Sequence, residues 1–205
     1  DYTIREYIRN FIMSKLETNT IDTVSGTTNL VIGSTNSSTV TFESGAATGH
    51  MSPAFEAYLS AFQGIANNTY VKAQFNTEVF DTDNAYDNSS NYRFTVPTGK
   101  GGKYFITAQV NLKCNSGNNL QTTFIALYIN GSAVNTHHKN DSAFNTSNYS
   151  RRDTRFISTI LDLSAGDYVE VYAQLGDNSH DIGGSGIQAN NAKASSFFAG
   201  YRIGA

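Results

Sequence analysis

The stretch "KYFITAQVNL", residues 103–112, decides the fold class, because its apolar side chains recur at every second position. One face of this stretch holds Tyr104, Ile106, Ala108, Val110 and Leu112, and the other holds Thr107, Gln109 and Asn111. Successive side chains of a β-strand point to opposite faces of its sheet, so this pattern predicts a strand with one buried face. "DYVEVYAQL", residues 167–175, repeats the pattern with an inward set of Val169, Val171, Ala173 and Leu175.

Turn signals separate the predicted strands. In "ALYINGSAV", residues 126–134, the pair Asn130-Gly131 stands between two apolar runs. Both residues accept a positive φ, as a two-residue hairpin turn requires. "LSAGDYVEV" predicts a second turn at Ala165-Gly166. Many short strands, with only two prolines in 205 residues, predict an all-β sandwich or jelly roll over residues 53–205.

Two strands are apolar on both faces. They are "FIALYI", residues 124–129, and "SFFAGYRI", residues 196–203. A strand with one solvated face would not show this pattern, so we expect burial on both sides. One side would face the sandwich core and the other a neighbouring subunit. The predicted interface residues are Phe124, Tyr128, Phe198 and Tyr201. A loop or the N-terminal segment could cover the second side instead.

The first 16 residues contain one clear helical pattern, "TIREYIRNFIMSKL". Its apolar stripe consists of Ile4, Tyr7, Ile8, Phe11 and Ile12. A helix of this length is marginally stable alone in water and needs a surface to lie on. That surface could belong to its own domain, a second copy or another protein. We interpret residues 1–16 as an anchoring helix.

Residues 17–52 have a different character. The short pieces "TIDTV", "NLVIG" and "TVTFE" alternate with turns rich in Ser, Thr, Gly and Asn. Each piece is too short to bury a core within one chain. We expect either a β stalk wound from several chains or a flexible stalk, followed by the linker "SGAATGHMS".

Composition excludes several classes of function. The net charge of −3 argues against a nucleic-acid surface. The single cysteine, Cys114, allows neither an intrachain disulfide nor a multi-cysteine zinc site. No run of about 18 apolar residues occurs, so no membrane span is predicted. No catalytic residues are predicted either, because adjacent His137 and His138 point to opposite strand faces and no G-x-S-x-G elbow is present.

The acidic segment "FDTDNAYDNSSNYRF", residues 80–94, resembles a calcium loop at first sight. Counted from Asp81, however, the required glycine is replaced by Tyr86 and the bidentate glutamate by Tyr92, which excludes an EF-hand. Asp and Asn favour turns because their side chains bond the nearby backbone. A polar strand connection is therefore the preferred interpretation. A looser calcium site formed by Asp81, Asp83 and Asp87 remains the alternative, and no other cofactor is expected.

An ordered series of segments resembles the globular head of complement component 1q and its tumour-necrosis-factor-like relatives, the C1q/TNF-like family. The series is "PAFEAYLSAF", "FNTEVFDTDNAYD", "YRFTVPTGKGGKYFITAQV", "ALYINGSAV", "LDLSAGDYVEVYAQ" and "SSFFAGYRI". The resemblance covers residues 53–204 and implies a ten-stranded jelly roll that assembles as a homotrimer and is not an enzyme. Some members bind calcium, but no such ligands match here residue by residue. "DTVSGTTNLVIGSTNSSTVTFESGA" is similar to the β stalks of bacteriophage appendage proteins.

Two functional hypotheses follow from these observations. The first is a bacteriophage virion structural protein, held to other virion proteins by its N-terminal segment. Its trimeric knob would serve either as the tip of a fibre that contacts a host surface glycan or protein, or as a capsid decoration. The alternative is a secreted, extracellular module of the complement-1q kind that binds glycans or proteins.

Overall fold

The computed structural model describes residues 52–114, 120–134, 140–143, 151–177, 184–189 and 195–204. The chain divides into two units, residues 1–46 and 47–205, and every described residue belongs to the second. The predicted anchoring residues Ile4, Tyr7, Ile8, Phe11 and Ile12 lie outside the described residues. So does the predicted stalk, apart from its last residue, Ser52.

The described residues form an all-β domain. Its strands are β1 (Ala54–Tyr58), β2 (Gln63–Gly64), β3 (Val71–Lys72), β4 (Thr77–Asp81), β5 (Tyr86–Asp87), β6 (Arg93–Thr95), β7 (Gly102–Lys113), β8 (Leu120–Ile129), β9 (Ser132–Ala133), β10 (Asn140–Ala143), β11 (Arg152–Leu163), β12 (Tyr168–Asp177), β13 (Gly186–Ile187) and β14 (Phe197–Gly204). The resemblance implies ten strands. The segments are more numerous because β2, β3, β5, β9 and β13 are pieces of two residues each.

The first sheet is built around β7. β14 and β11 pair with β7 on its two sides, and β1 and then β4 continue the sheet beyond β14. The short strands β13 and β2 extend it near the end of β7. All of these pairings are antiparallel, as expected for a sandwich rather than an α/β fold.

The second sheet is built around β12 and β8. These strands pair antiparallel from Val169↔Ile129 to Asp177↔Leu120, with one register shift between Gly176 and Asp177. β10 and β9 pair with β8, while β6 and β3 pair with β12, and β5 pairs with β6.

The core lies between the two sheets, and alternation decides which side chains enter it. The inward residues of β7 and β12 predicted from sequence are all fully buried. An aromatic cluster fills the centre, where the ring of Phe55 stacks on Phe94 with centroids 4.7 Å apart and meets Phe198 edge-on at 4.9 Å. Aromatic rings prefer these offset and edge-to-face arrangements, so the cluster adds geometric specificity to burial.

The predicted hairpin turn is confirmed. Asn130 has φ 52° and Gly131 has φ 77°, and Ile129 pairs with Ser132 directly across the turn. The Asn130 side chain also links this turn to its neighbour, because its Nδ2 donates to Asp167 at 2.8 Å. The turn predicted at Ala165-Gly166 is present too, with Gly166 at φ 90°.

Candidate interaction surfaces

The four residues predicted at a subunit interface lie in three different environments. Phe198 is 0% exposed in a single chain and packs against Phe55, Phe75 and Tyr86. It has no surface to offer a neighbour, so its assignment to an interface is corrected to the core. The error arises because "SFFAGYRI" is apolar on both faces, and alternation does not say which face points inward.

Tyr201 does lie on an outer surface, namely the face of the first sheet that points away from the core. Register places it beside Phe105, with ring centroids 5.6 Å apart, and Phe105 lies beside Ile160. Ile160 is 60% exposed and Phe156, on the same side of β11, is 50% exposed. We call this surface the apolar face, and its large residues are Phe80, Phe105, Phe156, Ile160, Tyr201 and Ile203.

The apolar face contains a dimple of about 280 Å³. Small residues form part of its lining, because β1 and β14 contribute Ala54, Ala199 and Gly200. Its remaining lining residues are Phe55, Phe80, Phe105, Thr107 and Tyr201. The sheet thus carries a concave apolar site on β1, β4, β7 and β14, and exposed apolar side chains on its edge strand β11.

Charge is distributed unevenly over the strands of this sheet. β1 and β4 carry three carboxylates, Glu56, Glu78 and Asp81, and no basic residue, which gives a net −3. β7 and β11 carry four basic residues against two acidic ones, which gives a net +2; they are Lys103, Lys113, Arg152, Arg155, Asp153 and Asp162. Between these halves, β14 carries only Arg202. Register places Glu78 and Asp81 on the inward side of the sheet, opposite Ala57 and Phe55. Of these charges the apolar face carries Glu56 on β1 and, on β7 and β11, Lys103, Lys113, Arg152 and Asp162.

Phe124 and Tyr128 lie on the outer face of the second sheet. Tyr128 stacks closely on Tyr172, with ring centroids 4.0 Å apart, and Phe124 lies near Tyr70 at 6.0 Å. Together with Tyr168, which Arg93 covers at 4.0 Å, these rings form what we call the tyrosine face. The apolar side chains that sequence assigns to a subunit contact are thus partly covered by aromatic neighbours in their own chain.

A buried ion pair lies on the same sheet as the tyrosine face. Glu170 is 3% exposed, and its carboxylate is 2.5 Å from the Lys72 ammonium, which also donates to the carbonyl of Asn91 at 3.2 Å. Burial, followed by the nearby Glu170 charge, raises the pKa of Tyr172 above its ordinary value. The tyrosine face is therefore an aromatic surface beside a Lys72–Glu170 ion pair.

The acidic segment at 80–94 acts as a set of turns. The Asp81 carboxylate accepts the amide of Tyr86 at 2.7 Å, and Asp83 accepts the hydroxyls of Ser52 and Thr82. Asp87 accepts the amides of Ser89, Ser90 and Asn91. Among the described residues no three acidic, histidine or cysteine side chains are placed to hold one metal ion, so the structure gives no support to a calcium site at Asp81, Asp83 and Asp87.

These hydrogen bonds stabilise the ionised carboxylates. The amides of Ser90 and Ser89 hold the pKa of Asp87 far below its ordinary value. The Ser52 hydroxyl, then that of Thr82, lowers the pKa of Asp83, and the Asn130 side chain lowers the pKa of Asp167. A carboxylate that accepts several N–H or O–H hydrogen bonds is stabilised in its charged form. Each of these aspartates therefore stabilises the turn in which it lies.

The cysteine and histidine residues that could serve in catalysis do not come together in the described part of the chain. The Cys114 thiol is buried at the end of β7 and contacts the Arg151 carbonyl at 3.5 Å. The adjacent histidines His137 and His138 lie outside the described residues. No helix among the described residues has the length and hydropathy needed to cross a bilayer.

Comparisons with known proteins show what this fold is similar to. No protein-family profile matches the chain, and no curated protein matches its sequence. The globular domain of zebrafish complement 1qA is similar in structure, with a TM-score of 0.50 and 14% identity over 74% of this chain and 97% of that one. The crystal structure of murine APRIL at pH 8.0 also has a TM-score of 0.50, with 10% identity over 74% of this chain and 98% of that one.

At these identities the similarity establishes the fold alone. The expected C1q/TNF-like jelly roll is confirmed, since both similar domains are covered almost completely.

Proposed function

We propose that this protein is a non-enzymatic, homotrimeric module of the C1q/TNF-like kind, used for structure and attachment. One observation carries the proposal: a single chain leaves the apolar face uncovered, with Phe80, Phe156, Ile160 and Ile203 exposed. A contiguous apolar surface on a soluble domain is a liability unless a partner covers it. The fold is shared with the globular domain of complement 1qA, and a further copy of this chain is the partner that such a fold suggests.

The trimer is tested by mass. Light scattering coupled to gel filtration should give three copies per particle for the unmodified chain at micromolar concentration. Association driven by apolar burial should survive high salt, because screening weakens charge pairs but not the hydrophobic effect. A monodisperse single-chain species under these conditions would refute the proposal.

For the setting of this trimer we propose a bacteriophage particle. Support comes from the N-terminal sequence, where the stripe Ile4, Tyr7, Ile8, Phe11 and Ile12 needs a docking surface. Residues 17–52 add a stalk-like sequence rich in Ser, Thr, Gly and Asn. In this proposal the first 16 residues bind other virion proteins, and the jelly roll projects as a fibre knob or capsid decoration.

Mass spectrometry of purified particles tests the virion role. We expect the protein in particles purified by density gradient, in a copy number divisible by three. A version lacking residues 1–16 should be absent from the particles although it still folds. Absence of the unmodified protein from particles would end the virion proposal and leave the trimer proposal standing.

The tyrosine face favours a second candidate, an extracellular module that binds glycans. Aromatic rings with hydroxyl groups suit the apolar faces and polar edges of sugars, and Tyr70 is exposed on this surface. A glycan array should then give hits that Tyr70→Ala weakens and Val79→Ala, on the other sheet, does not. Binding that Tyr70→Ala leaves unchanged, or no hits at all, would count against this candidate.

A further inference from the structure

The strand β4 is a free edge of the first sheet. Among the described residues it pairs only with β1, so one side of its backbone has no strand partner there. An edge strand presents a row of unpaired N–H and C=O groups that can pair with another extended chain. The sequence of β4, "TEVFD", contains no proline or lysine to block such pairing. Val79 and Phe80 are exposed on this edge, at 36% and 46%.

A bulge at Val79 decides which way the side chains of β4 point. Phe80 pairs with Glu56 and lies on the outer side of the sheet, whereas Glu78 pairs with the buried Ala57 and lies on the inward side. Val79 is the extra residue between them. Side chains of a strand added beyond β4 would also alternate, so one set would lie beside Phe80 and the other beside Glu78.

A cavity of about 490 Å³ opens on the Glu78 side of this edge. It lies between β4 and the strands β5 and β6 of the second sheet. Its lining includes the apolar residues Ala85, Tyr86 and Val96, which are all buried. Ligand pockets in proteins usually have volumes from roughly 300 to 1,000 Å³. The cavity is therefore large enough to receive a long side chain of a bound segment.

The charge of the cavity is negative. Glu78, Asp83 and Asp87 contribute carboxylates, and none of its described lining residues is basic. Asp83 and Asp87 accept hydrogen bonds within their own turns, whereas no hydrogen bond or ion pair joins the Glu78 carboxylate to another described residue. The aliphatic stem of a lysine or arginine can cover the apolar lining while its charged end reaches these oxygens.

We infer that β4 and the cavity together bind an extended, basic segment of another protein by strand addition. Main-chain hydrogen bonds to the β4 edge supply affinity, and the cavity selects lysine or arginine at alternate positions of the segment. The remaining side chains of the segment are apolar, because they cover Val79 and Phe80. This binding goes beyond the trimer proposed above and does not depend on the number of copies in the particle.

Charge favours this occupant over a second copy of the chain. Two β4 edges placed side by side would bring the acidic residues Glu78 and Asp81 of both copies close together, and like charges disfavour strand pairing. Inward-pointing charges and bulges protect an edge strand against its own kind, but a basic segment meets no such repulsion. Residues 17–51 contain no lysine or arginine, so this part of the chain lacks the required charge as well.

Synthetic peptides test the binding. The probe is a capped, fluorescent peptide of alternating lysine and valine, added to the full chain and followed by fluorescence anisotropy. We expect saturable binding at one site per chain. A peptide with glutamate in place of lysine should not bind, because it would face the carboxylates. A lysine–valine peptide with an N-methylated backbone should not bind either, because it cannot donate to the edge. Absence of lysine–valine binding below about 1 mM would overturn the inference.

A pair of variants tests the cavity. Glu78→Gln should weaken binding of the lysine–valine peptide about 10-fold, because a charge-assisted hydrogen bond is lost. Gln174→Lys, on β12 of the second sheet, changes the net charge of the chain by the same amount and is the matched control. It should leave the dissociation constant unchanged at about 0.15 M salt, where charges more than about 8 Å apart are largely screened. Equal effects of the two variants would overturn the inference.

Amide hydrogen exchange separates strand addition from adsorption by charge alone. Peptide binding should slow exchange in residues 77–81 and leave β11, which pairs only with β7 among the described strands, unchanged. Equal binding of the N-methylated peptide, or bound peptide that does not protect residues 77–81, would refute strand addition. A monomeric unmodified chain would refute the trimer but leave peptide binding intact, so the failures of the two proposals are distinguishable.

Discussion

Phe198 shows how much one side chain can contribute at the residue scale. It is fully buried and contacts three other aromatic rings of the core. Phe198→Ala removes a ring from a close-packed centre, and we expect it to lower the free energy of unfolding by about 3–5 kcal/mol. Urea denaturation at one fixed protein concentration measures this. Val79→Ala, at an exposed site, should change stability by only about 0.5 kcal/mol. A loss below about 1 kcal/mol for Phe198→Ala would place that ring outside the core.

The Lys72–Glu170 pair makes a second residue-scale prediction. Removing one partner leaves the other charge buried, and Glu170 is the more buried of the two. Lys72→Met should therefore destabilise the fold by about 3–5 kcal/mol. The double variant Lys72→Met/Glu170→Leu should recover most of that loss, because it leaves no isolated charge. A double-mutant cycle in urea gives the coupling energy. Additive losses would show that the two groups do not interact.

Acid should destabilise the fold through the turn carboxylates. The pKa values of Asp83 and Asp87 are lowered in the folded chain from an ordinary value of 3.8. A carboxylate whose pKa is lowered by folding stabilises the fold at any pH above its unfolded-state pKa. This stabilisation is lost as the pH falls from the unfolded-state pKa to the folded-state pKa. The urea midpoint should thus be level above about pH 5 and fall below about pH 4. Asp87→Asn should have a lower midpoint at pH 7 and a shallower acid slope. Equal slopes for both proteins would contradict this assignment.

At the scale of elements, β14 depends on a glycine. A Cβ on Gly200 would lie 2.6 Å from Cδ1 of Ile106 and 3.0 Å from both the Phe105 carbonyl and the Phe55 ring. Two of these neighbours belong to β7, which pairs with β14 along this stretch. We expect Gly200→Ala to destabilise the fold by about 1–3 kcal/mol through overpacking. A companion change, Ile106→Val, should recover part of the loss. Thermal unfolding of the two variants tests this, and an unchanged midpoint for Gly200→Ala would contradict the close approach.

Elements are easier to predict from sequence than the surfaces they form. Alternation in "KYFITAQVNL" identifies β7 and its inward residues, because burial repeats with the period of the strand. Asn130-Gly131 identifies a turn, because few residues accept positive φ. The sequence is a poorer guide to which residues lie at a subunit interface. A strand that is apolar on both sides has no polar face to mark solvent, so sequence places Phe198 outside although it is core.

Sheet membership cannot be read from the sequence either. Phe124 and Tyr128 belong to β8 in the second sheet, while Tyr201 belongs to β14 in the first. The sequence pattern does not mark the exposed side chains of β11, Phe156 and Ile160, as interface residues. Their segment "RFISTILDL" carries Phe156 and Ile160 four positions apart, on the same side of the strand. Burial at alternate positions of β11 shows that both side chains point out of the sheet, and the pairing with β7 places Ile160 beside Phe105 of the dimple.

The whole molecule has two outer faces with different character. The tyrosine face already has its charges paired and its rings stacked within one chain. The apolar face has exposed apolar side chains and a dimple. Burial of the apolar face therefore yields more free energy than burial of the tyrosine face. On this basis Tyr128→Asp should leave the number of copies unchanged in light scattering, although sequence analysis places Tyr128 at the interface.

If the chain folds and assembles together, its thermal stability depends on protein concentration. A partner that binds only the folded chain stabilises it by mass action, so the thermal midpoint of a trimer rises with protein concentration. We expect Tm of the unmodified protein to increase steadily between about 1 and 100 μM, and Tm of Ile160→Glu to be independent of concentration. Tyr128→Asp, on the tyrosine face, should retain the dependence even where its Tm is lower. If Ile160→Glu keeps the full concentration dependence, β11 does not contribute to the contact. If the unmodified protein shows none, its apolar face is not buried by copies of itself.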